Sequence, residues 1–306
     1  TAIAPGIDQT FAATTPDWQH WRPDRPTAPH WYTPDRFRAL VALLLNSEQR
    51  GGKARSVNEF IREFHGLSGT AKAKAIAQAA NLTGAMLRDL IHDGDVDMNR
   101  LTAMLAAMKK VARQVKPETL GLLGQEHCAV NLERYGAHPD SIEYRRVAGE
   151  ADGLPYCLQI AFGVKRDGEE SRTLQVGINF SPALSQPFAD LDIALNEARC
   201  TRVDPVVLIA HLVCPRVEFS DRGKTRAILP DAIAADLQRL VKLVTARFTQ
   251  AKRQADDRQG RRVASHGTGL LEGQRQWDVA RQRPAIPGLA RGEASSAWRR
   301  QVRSRG

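Results

Sequence analysis

Cysteine, long apolar runs and recognisable catalytic spacings are all scarce in this chain of 306 residues. Its four cysteines, Cys128, Cys157, Cys200 and Cys214, stand far apart with no C-x-x-C pair, which gives neither a disulfide framework nor a zinc site of the usual ligand spacing. They read as small buried hydrophobes. No apolar segment reaches the roughly eighteen residues of a membrane span, and the first thirty residues lack the basic-then-apolar order of a secretory signal. A soluble, cytoplasmic chain without a membrane partner is expected.

Gly223-Lys224 is no phosphate loop, because the Walker spacing needs a glycine where Glu218 stands. His127 and Cys128 are neighbours in sequence and so point different ways. His211 lies inside an apolar run, where a hydrogen-bonded core histidine is the expected state. With no triad, nucleophile elbow or metal-ligand cluster, no catalytic or metal-binding residue is assigned.

Positive charge is what the chain does have, with a net of +10. Its distribution matters more than its sum. The net charge is −1 over residues 1–33, +5 over 34–115, −2 over 116–250 and +8 over 251–306. A nucleic-acid argument must therefore rest on the helical region and the C-terminal stretch.

Residues 1–33 carry prolines and the aromatics Trp18, Trp21, Trp31 and Tyr32 without a helical or alternating period, and read as an extended lead-in packed on a neighbour. Thr33-Pro34 caps a first helix. Ser56-Val57-Asn58-Glu59 has capping-box order for a second, ended by Gly66. A third, alanine-rich helix follows Ser68-Gly69-Thr70 to about residue 81, a fourth spans about 85–92, and a fifth carries Met98, Leu101, Leu105 and Met108. Residues 34–115 thus read as a small all-helical domain.

From Lys116 the period changes. Leu158, Ile160 and Phe162 alternate, as do Leu174, Val176, Ile178 and Phe180, with Lys165-Arg166-Asp167-Gly168 as the tip of a hairpin between them. A helical crossover, about 188–200, leads to Val206, Val207, Leu208, Ile209, Leu212, Val213 and Val217, a strand apolar enough to be central. Pro230 opens a closing helix with Ile233, Leu237, Leu240, Val241, Val244 and Phe248 at helical spacing. Residues 116–255 read as an α+β layer with helices on one face. Residues 256–306 are arginine-, glutamine- and glycine-rich with few apolar residues, and read as a disordered basic tail.

In this order the segments resemble the helix-two-turns-helix and transducer portions of the B subunit of DNA topoisomerase VI, a type IIB topoisomerase. The likeness is carried by SVNEFIREFHGLSGTAKAKAIAQAANL in the helical region, by Leu122-Leu123-Gly124-Gln125-Glu126, by Gly153-Leu154-Pro155-Tyr156 with Ile160-Ala161-Phe162-Gly163, by Val176-Gly177-Ile178-Asn179-Phe180 through Pro187-Phe188, and by Val217 to Lys224 with the helix after Pro230. It covers about residues 35–255. The family's ATP-binding domain has no counterpart here. Its tryptophan-lysine-x-tyrosine segment is matched by Arg199-Cys200-Thr201-Arg202, so a phosphate switch would fall to Arg199 or Arg202, although arginine does not reproduce lysine's flexible point charge.

The resemblance implies duplex DNA and a topoisomerase VI A-like, DNA-cleaving subunit as partners. It implies ATP and magnesium only for a longer parent with the ATPase domain, and no cofactor for this chain. Arg50, Lys53, Arg55, Lys72 and Lys74 are the DNA-binding candidates; as surface charges they could equally be solvated. Arg222, Gly223 and Lys224 form the family's transducer turn. Two functions are consistent with this reading: a DNA-binding, conformation-transmitting part of a topoisomerase VI B-like subunit, or a stand-alone nucleic-acid-binding or adaptor protein.

Overall fold

The computed structural model describes residues 2–4, 7–9, 18–22, 24–92, 94–166 and 171–273, with side chains described between residues 18 and 258. Two short strands, β1 (Ala2–Ala4) and β2 (Ile7–Gln9), pair antiparallel at the start. The lead-in then packs against the sheet region. Trp18 donates its indole N–H to the Leu122 carbonyl at 2.9 Å, and Trp21 meets the buried Trp31 edge-on at 5.4 Å.

The helices that follow begin where their caps dictate. Helix α1 (Pro34–Gln49) starts behind Thr33, whose hydroxyl accepts from the Arg36 N–H at 3.4 Å. Helix α2 (Val57–Arg62) carries a complete capping box: Ser56 Oγ accepts from the Glu59 N–H at 3.2 Å, and a Glu59 carboxylate oxygen accepts from the Ser56 N–H at 2.9 Å. Helix α3 (Thr70–Ala79) is followed by Asn81 in the left-handed region, φ 55°, where asparagine is tolerated. The expected fourth helix is only a 3₁₀ turn, Leu87–Leu90. After it, strands β3 (Ile91–His92) and β4 (Asp95–Val96) fold back through Gly94 at φ 83°, which ends any helix. Helix α4 (Met98–Val111) starts behind the Asp97 cap. Phe37, Phe60, Ile61, Ile76, Leu101 and Met104 close one core among these helices.

The second core is built around a five-stranded sheet. Helix α5 (Gln125–Arg134) precedes β5 (Glu143–Ala151), β6 (Leu154–Val164), β7 (Thr173–Ile178) and β8 (Ser181–Pro182). Helix α6 (Ala189–Glu197) crosses to β9 (Val206–Val213), and the short hairpin of β10 (Glu218–Phe219) and β11 (Ala227–Ile228) leads into α7 (Asp231–Gly273). The strand order is β5-β6-β9-β7-β8, with β7 and β9 parallel and the other pairs antiparallel. The protein is α+β, with a mixed sheet.

Four expectations are corrected here. β6 and β7 form no hairpin, because β9 inserts between them; of the expected tip, Asp167 and Gly168 lie outside the described residues. β9 stops at Val213 and excludes Val217, since the Asn179 side chain takes up both main-chain groups of Cys214 and Pro215 has no N–H to continue the ladder. Helices cover both faces of the sheet. Leu191, Leu195, Leu237, Val241 and Val244 of α6 and α7 pack with Leu158, Ile160, Phe162, Leu208 and Leu212, while Cys128 and Leu132 of α5 pack with Ala161, Val207 and Ile209. That double cover is why every residue of β6 and β9 is buried or nearly so. Last, helix α7 runs past 255, so residues 256–273 of the expected tail belong to it and 274–306 lie outside the described residues.

Candidate nucleic-acid surface and the junction with the long helix

The five cations singled out in the helical region differ in what they touch. Lys53 pairs with Glu59 at 3.1 Å, and Arg55 with Glu63 at 3.1 Å. Lys72 donates to the Gly66 carbonyl at 3.0 Å, while Arg62 donates to the Ser68 carbonyl at 2.9 Å, so both stitch the turn between α2 and α3. Arg50, which ends α1, and Lys74 on α3 are exposed. Glu59 is held at a pKa of about 2, chiefly by the Ser56 N–H and then by Lys53, so it stays ionised beside these cations. The exposed pairs are weak, screened contacts that a phosphate could replace.

Arg199 and Arg202, the phosphate-switch candidates implied by the resemblance, lie between α6 and β9. Arg199 has φ 55° and reaches Asp256 of α7 at 3.9 Å; Arg202 is exposed. The ammonium beside them belongs to Lys252 of α7. Its Nζ donates to both Asp204 carboxylate oxygens at 2.8 Å and to the Arg199 carbonyl at 2.9 Å. This clamp ties α7 to the start of β9, and no local pattern signals it because the partners are 48 residues apart. The arginines neighbour an already compensated ammonium.

Arg222, Gly223 and Lys224 occupy the loop of the β10–β11 hairpin. Lys224 is exposed at φ 56°, and its N–H donates to the Asp221 carbonyl at 3.2 Å. The Asp221 carboxylate accepts from the Thr225 and Arg226 N–H groups at 3.1 Å, contacts that hold its pKa below the ordinary value. The hairpin also reaches the helical region: Glu218 of β10 pairs with Arg36 of α1 at 2.6 Å.

The buried polar groups are structural. His211 is 2% exposed, with Gln159 Nε2 at 3.2 Å from Nδ1 and the Phe180 N–H at 3.1 Å from Nε2. The Gln159 side-chain oxygen accepts from the Gly124 N–H and from the Tyr144 hydroxyl, which turns its amide nitrogen toward the ring. Burial, helped by the charge of His127, pushes the His211 pKa down to about 4. All four cysteines are buried and unpaired, and burial raises each thiol, Cys128 and Cys200 to about 12 and Cys157 to about 11. Among the described residues no group of three His, Cys, Asp or Glu side chains is placed to hold a metal ion, and no helix is long and apolar enough to cross a membrane.

No family model matches this chain, and no curated protein does. Among solved structures, the B subunit of the DNA gyrase from Myxococcus xanthus aligns at 20% identity over 38% of this chain and 37% of its own, with a TM-score of 0.28. The 43K ATPase domain of Thermus thermophilus gyrase B, in complex with an aminocoumarin, aligns at 12% identity over 40% of this chain and 41% of its own, with a TM-score of 0.19. Both are partial overlaps with gyrase B, spanning about two fifths of either chain.

Proposed function

We propose that this chain is the DNA-binding and conformation-transmitting part of a topoisomerase VI B-like subunit. The observation that carries the reading is collinearity: the segments that resemble that family fall, in chain order, on defined structural elements of both cores. SVNEF through Asn81 spans α2 and α3, Gly153-Leu154-Pro155-Tyr156 turns into β6, Val176-Gly177-Ile178 ends β7, and Val217 to Lys224 covers the first strand and part of the loop of the hairpin that leads into α7.

Two ion pairs and one stretch of continuous chain give the reading a mechanical route. Glu218 joins the hairpin to α1 through Arg36, the hairpin runs into α7, and Lys252 fastens α7 to the start of β9. Displacement of one of these elements acts on the others through these two ion pairs and the short stretch of chain from β11 into α7. The exposed Arg50 and Lys74, with Lys53, Arg55 and Lys72 beside them, would hold duplex DNA by its phosphates without reading sequence. ATP and magnesium belong to this reading only through an ATPase domain of a longer parent.

The test is a titration of the full chain against a topoisomerase VI A-like cleaving subunit by biolayer interferometry, with Lys224→Ala in parallel. Saturable binding, weakened about 5- to 100-fold by the substitution, is expected if the hairpin transmits state. DNA binding without any binding to the subunit would favour the stand-alone adaptor instead.

A further inference from the structure

Helix α5 packs on β6 and β9 and leaves the same face of β7 open, so a hollow of about 220 Å³ lies between α5, β7 and β8. We propose that this hollow binds a small uncharged heteroaromatic ring with hydrogen-bond donors and acceptors on its edge, the chemistry of a nucleobase.

Size, lining and rigidity each point that way. The volume lies below the roughly 300 Å³ at which drug-sized pockets begin, and it suits a single ring system. The lining contains no Asp, Glu, Lys or Arg, although a quarter of the chain is charged, and burial favours the neutral form of its two imidazoles, His127 and His211. An ionised ligand would lose hydration there without gaining a counter-charge. Asn131, Tyr135, Gln175 and Ser181 offer uncharged amide and hydroxyl groups, and an amide matches a ring edge that carries a donor beside an acceptor. Phe180 supplies an aromatic surface.

The floor is fixed before any ligand arrives. Asn179 and Phe180 both have positive φ, 50° and 65°, which is costly for a bulky residue such as phenylalanine. The Asn179 amide holds them by donating to the Cys214 carbonyl and accepting from the Cys214 N–H, each at 2.9 Å, and the Phe180 N–H points at His211. Trp18 and His20 pack on the Phe180 ring at 4.7 and 5.4 Å. At Gly177 an added Cβ would lie 3.0 Å from the His211 ring, so glycine lets that ring lie against β7. A strained, over-determined turn beside an uncharged hollow is the arrangement of a preorganised binding floor.

The site does not depend on the DNA-backbone reading, and its test uses uncharged probes. The full chain is titrated by NMR with adenosine, guanosine, cytidine and uridine, with indole as an apolar ring and orotate as a charged one. At least one nucleoside should saturate with a Kd of about 1 mM or tighter, shifting the Gln175 side-chain and Gly177 signals, while indole and orotate bind at least about 10-fold more weakly. Ser181→Trp, which blocks the exposed rim, and Gln175→Leu, which keeps the bulk and removes the amide, should each weaken the nucleoside about 10-fold; if the tryptophan variant does not fold, the leucine variant decides. Failure of every nucleoside to saturate, equal binding of indole or orotate, or full binding by the folded leucine variant would overturn the proposal.

Discussion

The helical region and the sheet reach packed cores by different routes. Helices α1 to α4 are set by neighbours in sequence: Thr33, Ser56 with Glu59, and Asp97 start three of them, and Asn81 and Gly94 turn the chain between them. β9 has no such local device. It is buried end to end because β6, β7, α5, α6 and α7, drawn from distant stretches of chain, close round it. Local chemistry places the ends of elements, whereas the order of strands depends on contacts that no short window contains.

The largest effects should come from emptying each core in turn. Phe162 is 1% exposed with its ring 5.7 Å from that of Phe248, and Phe60 is 1% exposed against Phe37 and Phe64. Phe162→Ala and Phe60→Ala should each cost about 3–5 kcal/mol in denaturant melts. Separate transitions, each moved by one substitution only, would mark independent cores; a single transition moved equally by both would erase the distinction.

A smaller effect belongs to the sheet alone. The His211 pKa is about 4 in the fold against 6.5 for the free side chain, so below pH 6.5 the unfolded chain takes a proton that the folded chain refuses. Stability from this group is complete above pH 6.5 and falls as the pH drops toward 4, by about 3 kcal/mol in all. His211→Gln should flatten that part of the pH profile measured by urea melts. The helical counterpart is the capping box. Ser56→Ala should cost about 1 kcal/mol, and because Glu59 titrates at about 2, its contribution is present above the ordinary carboxylate pKa of 4.5 and fades as the pH falls from there. Least of all, Lys224→Ala should move thermal stability by no more than about 0.5 kcal/mol, since that side chain is exposed.

Much of the helical region was legible. The cap at Thr33, the capping box at Ser56 and the helix after Gly69 all appear where the residues announced them. In the sheet, the centrality of β9 could be read from its unbroken apolar run, and the crossover helix from its position between two strands. Strand β5 was missed because its exposed arginines and glutamate break the apolar alternation, although Asp152-Gly153, with φ 51° and 76°, is the two-residue hairpin signal that joins it to β6. Helix α5 is not legible in the sequence because its apolar face is narrow, Cys128 and Leu132 being its two buried positions. Of the candidate site, residue types were legible and partners were not. Nothing local indicates that Lys53 and Arg55 meet Glu59 and Glu63, or that Lys252 clamps Asp204.

Whether the helical surface holds a duplex is decided most directly by fluorescence anisotropy of the full chain on a labelled DNA duplex across a range of salt. Arg50→Glu with Lys74→Glu is compared with the unaltered protein, these being two exposed cations outside the ion pairs described above. Each phosphate contact contributes about −0.9 to the slope of log affinity against log salt, so the double variant should bind more weakly and with a slope shallower by about 1.8. Affinity and slope identical to those of the unaltered chain would contradict the account and leave these residues a solvated surface.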